Sequence, residues 1–499
     1  MMAKLHAFMF GFLALDSLVV SYRDVISPDM VGSIWGPGSG CRRRLSFLEG
    51  GDGTEIILPP DIEGEWVSSS CEVRSGPEFV TRKYRFNSDL SFLLLQFYYS
   101  DHHCEQPSYS LRIRGQVHLR DASLADVGAT HADYDLDRIS MISFNLESAD
   151  RLRSALNSTC LKEIGASDQF QPNDRVHILN LVHGKHLVDC AADIGLSLHE
   201  LQLIRQQTMS RRSDEGKRLE WTELLLGDVH SDVKSRNTYR PKTFQTPLRK
   251  HVENDKDCEI CQEVHKGSEG QPPVLPKRTA FVPAPLHGEW ASLTCEARPM
   301  YFLTRHFIFL GNTTWEAHYH FYSDPNCRTP IYSLSLKGTH SQPEPSKNVP
   351  GGTIVNLHSL GMLLTPQHRD MVRTLNMLSK GVCAGKAWKL GPTYDVTDTA
   401  ECTSLGSLVP STEYELVKIE VDPLYGLVMF LGQMPSDGSG KYEEHKRPTA
   451  YQEPLVHCEG EDPRQRVQNN TNHNGCSICV VSMWTWLGSL WCYLLVVNM

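Results

Sequence analysis

Positive charge is the first thing this chain is short of. Its 499 residues hold 49 Lys and Arg against 59 Asp and Glu, for a net charge of -10. That balance leaves no basic excess to neutralise phosphates, which argues against nucleic acid or another polyanion as partner. The signatures of catalysis are missing too: the sequence has no Ser-His-Asp signature, no glycine-rich phosphate loop and no His-Glu-x-x-His zinc motif. It is therefore read as a non-enzyme with no cofactor and no metal. A third shortage is of basic residues after the last apolar run, so charge asymmetry cannot set its orientation in a membrane.

What is present begins with two apolar segments. Lys4 precedes an apolar run from Leu5 to Leu15, and Val19-Val20-Ser21 supplies small residues for cleavage, as a secretory signal over 1–21 requires. A buried N-terminal helix is the alternative. Ile478 to Val497 carries no charge and is long enough to span a bilayer, which needs about 20 residues of helix. A lipid-anchor signal competes with the span, although little polar spacer precedes the run. With the intervening chain outside the cytosol, the expected location is the plasma membrane, single-pass and type I. Sequons at Asn157, Asn312 and Asn469 agree with an extracellular glycoprotein.

The middle of the chain is written twice. Gly64-Glu65-Trp66, Cys71-Glu72, Thr81-Arg82, Tyr99-Ser100-Asp101, Cys104, Tyr109-Ser110-Leu111 and Gly115 return as Gly288-Glu289-Trp290, Cys295-Glu296, Thr304-Arg305, Tyr322-Ser323-Asp324, Cys327, Tyr332-Ser333-Leu334 and Gly338. Later matches, such as Leu226-Gly227 with Leu431-Gly432, extend the unit to about two hundred residues, an ordinary domain size. Phe79 to Phe86 and Phe92 to Tyr99 are rich in aromatic and branched residues around the turn Asn87-Ser88-Asp89, which predicts a hairpin. Tyr109 to Leu119 alternates like a strand and Ala132–Ser143 is a further strand. Ala149–Leu156, and a stretch begun by Thr365-Pro366, have helical patterns.

The expected fold is mainly β. It comprises two tandem related antiparallel β-barrels, or strongly curled sheets, each with a short helical insertion, and one C-terminal transmembrane helix; a sandwich is the alternative. The segments are a signal at 1–21, an N-terminal extension at 22–57 read as a solvated connector, a first repeat at 58–261, a Pro-rich linker at 262–283, a second repeat at 284–458, a stalk at 459–477 and a span at 478–497.

Cysteine spacing repeats with the motifs: Cys71 to Cys104 spans 33 positions and Cys295 to Cys327 spans 32. In an oxidising compartment these predict disulfides Cys71–Cys104 and Cys295–Cys327. Cys258-Glu259-Ile260-Cys261 reads alone as a redox or half-zinc motif. Against the repeat it is a junction, with Cys258 closing unit one as Cys458 closes unit two, and Cys261 opening unit two as Cys41 opens unit one. Each unit then owns six cysteines, an even number available for pairing.

The copies differ on one strand face. Leu93, Leu95 and Phe97 stand where unit two has Glu316, His318 and His320, while the other face is apolar or aromatic in both. Unit one's strand is thus greasy on both sides, and its extra apolar face predicts either an acyl-chain pocket lined by Leu93, Leu95 and Phe97 or a packed contact. In unit two that face reads as wet. His318 with His320, and His102 with His103, lack a third ligand at a metal-site spacing. Arg82 and Arg305 read as partners of Glu72 and Glu296.

Through Gly64-Glu65-Trp66, Cys71-Glu72-Val73-Arg74-Ser75-Gly76-Pro77-Glu78-Phe79, Gln96-Phe97-Tyr98-Tyr99, His199-Glu200-Leu201-Gln202-Leu203-Ile204-Arg205 and Leu303-Thr304-Arg305-His306-Phe307-Ile308-Phe309, residues 58 to 458 resemble the adenomatosis polyposis coli down-regulated 1 family. The resemblance implies a membrane glycoprotein that inhibits Wnt signalling by engaging Wnt ligand and its receptors. It also implies two β-barrels, the first with an apolar pocket for the lipid on Wnt. The short sequence after the span departs from the family pattern. An extracellular lipid-binding or adhesion module without Wnt-specific activity is the alternative.

Overall fold

The computed structural model describes residues 40–458 except 50–53, 124–125, 165–170, 183–184, 213–217, 254–256, 312, 379–386 and 398–409. The signal, the stalk, the span, Asn312, Asn469 and Cys383 lie outside the described residues. Among those described, no helix is long and apolar enough to cross a membrane.

Two 12-stranded antiparallel sheets account for the two repeats. In the first, strands Leu203–Arg212, Arg218–Leu226, Leu248–Lys250, Gly64–Ser68, Glu78–Phe86, Ser91–Tyr99, Pro107–Ala122 and Thr130–Ser143 follow one another. The last pairs back to the first, His131 with Leu203 and Thr130 with Ile204, so the sheet closes into a barrel. In the second, Ser411–Asp422, Gly426–Leu431, Leu455–His457, Gly288–Ser292, Tyr301–Phe309, Thr314–Tyr322, Pro330–His340 and Thr353–Pro366 form the same ring. It closes over a longer seam, from Thr353 against Val417 to Ser359 against Ser411. Closure removes the sheet edges that a sandwich would leave.

The hairpin expected at residues 79–99 is Glu78–Phe86 with Ser91–Tyr99, and the first repeat's helical pattern is Leu146–Ala155. Alternation sends Trp66, Tyr84, Phe86, Phe92, Leu94, Leu111 and Ile113 into the first barrel's core, and Trp290, Phe307, Phe309, Trp315, Ala317 and Phe321 into the second's. Gly115 and Gly338 are matched because both stand at a register shift in a long strand. A Cβ there would meet Asp135 O at 2.1 Å and His358 O at 2.0 Å. Arg82 shares the inward face of Tyr84 and is fully buried, with Nη2 2.8 Å from Glu72 Oε2. Arg305 Nε sits 2.8 Å from Glu296 Oε1 in the second barrel. Ser68 and Ser292 donate to the same carboxylates.

Three expectations are corrected. The first is the N-terminal extension 22–57. Residues Gly40–Glu49 form a helix, the leading helix, and Thr54–Ile57 is a strand of the first sheet. Cys41, Leu45 and Leu48 are buried at helical spacing within what reads as a basic connector. Cys41 and Leu45 pack on Ala291, and Arg44 Nε donates to Ser292 O at 3.2 Å, so the helix lies on the second barrel.

The second concerns the 261/262 boundary and the linker. Glu259–Lys266 is a helix, the junction helix, that runs through that boundary and packs on the first barrel. The linker after it is pinned to the same barrel: Tyr99 Oη donates to Pro273 O at 2.9 Å and Leu275 is buried.

The third is cysteine ownership. Disulfides join Cys71–Cys104 and Cys295–Cys327 as read, and also Cys160–Cys190. Among the described cysteines, Cys258 bonds Cys261 and Cys41 bonds Cys458, so these two pairs each join cysteines that the alignment of the repeats assigns to different units. Each unit's opening helix lies on the other unit's barrel. The two barrels also meet through matched groups: Ser231 N donates to Ser436 Oγ at 3.0 Å and Ser436 N to Ser231 Oγ at 3.1 Å.

Candidate functional site

The outer face of Ser91–Tyr99 singled out in the sequence lies beneath the junction helix. Leu95 and Phe97 are buried in one cluster with Val67, Phe79, Ile260, Val264 and Leu275, and Leu93 is half-buried beside them in the strand. The structure thus brings Leu95 and Phe97 together under a helix. The inner face of the same strand offers the larger apolar surface. Phe92 and Leu94 join Trp66, Tyr84, Phe86, Leu111, Ile113, Ile139 and Met141, and Tyr98 stacks on Tyr109 at 4.3 Å. This barrel's short closure leaves the middle of Thr130–Ser143 beside the turn His199–Gln202, where Tyr134 Oη meets His199 Nδ1 at 3.0 Å.

The second barrel's face is not wet. His306 and His318 are buried and their rings lie 5.8 Å apart. Burial pushes the His318 imidazole down to about 3 and that of His320 to about 4, with neighbouring histidines adding to the effect. His318 Nδ1 lies 3.0 Å from Ser335 Oγ. The leading helix, invisible to a repeat-by-repeat reading, covers part of this face.

Inside the second barrel is a cavity of about 30 Å³, lined by Leu303, Phe307, Trp315, Tyr319, Glu413 and Lys441 among others. That is room for about two waters, not an acyl chain. Its polar end is Lys441, in contact with Glu415 and 4.0 Å from Glu413. Burial pushes Glu413 up to about 7 against the pull of Lys441. Burial likewise pushes Glu453 up to about 7, with the Glu296 charge next in effect. Both carboxyls are therefore shared between acid and anion at neutral pH.

Among the described residues, two side-chain groups bring ligand-type atoms within 4.8 Å of one another, and neither contains the histidines singled out in the sequence. They are Glu65, His251 and His265, and Cys41, Glu289 and His306. The rings of His251 and His265 stack face to face at 3.7 Å, so their nitrogen lone pairs cannot converge on one ion, and Cys41 is committed to its disulfide. His102 and His103 lie ring to ring at 3.8 Å outside both groups. Cys258 and Cys261 are buried and bonded to each other. Of the sequons, Asn157 is exposed and caps the helix Ser158–Glu163, its Oδ1 accepting from Thr159 N and Cys160 N.

Two tandem barrels with matched cysteine pairs, each covered by the other's helix, are the architecture against which the family comparison can be set. The family model described as adenomatosis polyposis coli down-regulated 1 matches residues 40–276 and again 277–483. The chain belongs to this family. The first match begins at the leading helix and takes in the junction helix, so the two helices that the fold exchanges sit together in one family unit.

Proposed function

We propose that this member of the adenomatosis polyposis coli down-regulated 1 family is a cell-surface glycoprotein that restrains Wnt signalling by binding lipid-modified Wnt, its receptors or both. The observation that carries the reading is the family match over both repeats. The first barrel supplies the acyl site in this proposal. Its core is apolar and aromatic, and its ring closes at only two register pairs before the strand Thr130–Ser143 turns to pair with Arg175–Val182. A lipid that reaches Leu95 and Phe97 instead has to displace the junction helix. The chain is held at the plasma membrane by the apolar run at 478–497, with Asn157, Asn312 and Asn469 carrying glycans.

The deciding experiment is binding of the purified ectodomain to Wnt with and without its acyl group. Saturable binding to the acylated ligand alone, with a fall in reporter output in receiving cells, is expected. Equal binding to both forms, or uptake of free fatty acid with no effect on the reporter, overturns the proposal. Leu95→Lys separates the two apolar sites, because it opens the junction-helix cluster and leaves the barrel interior as it was.

A further inference from the structure

We propose that the outer face of the first barrel carries a docking surface for a sulfated polysaccharide, centred on a row of three arginines, Arg85, Arg114 and Arg138. The row crosses four neighbouring strands at one level. Arg85 of Glu78–Phe86 stands opposite Leu93 of Ser91–Tyr99, Leu93 opposite Arg114 of Pro107–Ala122, and Arg114 opposite Arg138 of Thr130–Ser143. Strands in a sheet lie about 4.8 Å apart, so the row extends over about 14 Å. All three arginines are exposed, and among the described residues no carboxylate is ion-paired with any of them.

One level down, the protein supplies its own acid. Ser110 Oγ donates to Glu269 O at 2.6 Å and Ser140 Oγ to Glu269 Oε1 at 2.7 Å, which fixes that carboxylate against the sheet. Arg175 Nη2 sits 2.8 Å from Glu269 Oε2 and Arg112 Nε 3.8 Å from it. Burial and then the Arg114 charge pull the Arg112 pKa down, Glu269 opposes them, and Arg175 and Arg138 add to the fall, so these guanidiniums share one field. The row above has no such acid among the described residues. Glu65, opposite Arg85, is engaged by His265 and lies 3.9 Å from Lys83 Nζ. Asp137, passed over by the register shift beside Arg138, is exposed and makes no ion pair. Like charges directly opposite on a sheet repel, so Arg114 facing Arg138 costs the fold something that an external anion relieves.

The second barrel shows that the architecture does not require the row. The corresponding stations hold Ile308, Glu316, Lys337 and Gly361, so one cation remains there, and it stands opposite a glutamate. A net charge of -10 argues against a polyanion for the chain as a whole, yet the fold gathers this cationic face on one barrel. Guanidinium forks match the oxygens of sulfate and phosphate alike. Sulfate on a polysaccharide fits the surroundings: this choice rests on the extracellular placement proposed above, and anionic phospholipid belongs mainly to the cytoplasmic leaflet. A membrane-binding face also needs protruding apolar side chains, and Leu93, the apolar member of this row, is half-buried.

The test measures binding of the purified ectodomain to immobilised heparin and to chemically desulfated heparin, with no Wnt present, so its outcome is separate from that of the Wnt experiment. Binding to heparin at least about tenfold tighter than to the desulfated polymer is expected. Combining Arg85→Gln, Arg114→Gln and Arg138→Gln should weaken heparin binding at least about tenfold and lower the slope of log affinity against log salt by about two to three. Combining Lys234→Gln, Arg240→Gln and Arg373→Gln removes three exposed charges elsewhere and should leave both unchanged. Equal loss in the two triple variants, equal binding to the two polymers, or no binding by the native protein at physiological salt overturns the proposal. So does binding to phosphatidylserine vesicles as tight as to heparin and lost in the first triple variant, which would assign the face to a membrane. Should that variant fold poorly, phenylglyoxal labelling of the native protein decides: heparin is expected to protect Arg85, Arg114 and Arg138, and unchanged labelling of all three refutes the surface.

Discussion

Arg82 and Arg305 are buried with one neighbouring glutamate each, and the value of such a pair shows only when half of it is removed. Glu72→Ala should cost about 3–5 kcal/mol in urea unfolding because it strands a buried guanidinium. The double change Glu72→Met with Arg82→Met should cost clearly less, since it removes both charges. Titrating groups of the second barrel give a signed pH dependence. Folded His318 stays neutral down to about 3, whereas the unfolded imidazole takes up its proton near 6.5, so stability falls as pH drops through that window. At pH 5 the loss from this group is about 2 kcal/mol relative to neutral pH, and His318→Leu should remove that share of the slope in urea midpoints taken at pH 5 and 7.5, leaving the share that His320 contributes. Glu413 acts in the other direction. Its folded carboxyl keeps its proton up to about 7 and the unfolded one releases it near 4.5, so its contribution is complete below 4.5 and lost as pH rises to 7. Glu413→Gln should flatten that neutral limb in the same assay.

The junction and leading helices are the elements on which the two apolar outer faces depend. Val264→Asp should expose the cluster of Val67, Leu95 and Phe97, seen as increased binding of a hydrophobic dye and a fall in stability of about 2–5 kcal/mol. Non-reducing digestion should yield a peptide containing Cys41 joined to one containing Cys458, which no pairing within a repeat can produce. Much of the barrel strand pattern was legible in the sequence, because alternation and turn residues act over a few positions: the hairpin from Glu78 to Tyr99 and the disulfides Cys71–Cys104 and Cys295–Cys327 were read from local pattern and matched spacing. The helix exchange was not. Cys41, Leu45 and Leu48 make a helical stripe, but arginines interrupt it and the surface it covers belongs to the other repeat. Aligning the repeats assigns each cysteine to its own copy, and such an alignment carries no signal for a swap. The stacking of His251 on His265 was out of reach for the same reason, since the rings meet only once the junction helix folds back onto the paired strands Leu248–Lys250 and Gly64–Ser68.

At the scale of the molecule, the two repeats behave as a fused two-fold pair with exchanged arms, the arrangement that arises when an isologous dimer with swapped helices becomes one chain. Cutting it at the apparent repeat boundary therefore should not give a sound half. A fragment ending at 261 loses His265, Val264 and Leu275 and bares Leu95 and Phe97, whereas one ending at 276 keeps that cover. Size-exclusion chromatography with light scattering should find the shorter fragment associated and the longer one more nearly monomeric. The exchange also bears on manufacture. Synthesis runs from the N-terminus, so the leading helix emerges early, yet its seat on Ala291 and its bond to Cys458 lie 417 positions downstream of Cys41 at the furthest. Cys41 must stay reduced, or be held by a temporary partner, through the making of both barrels. The Cys41–Cys458 bond thus reports that a nascent chain has been made through both barrels, since no molecule truncated before Cys458 can form it.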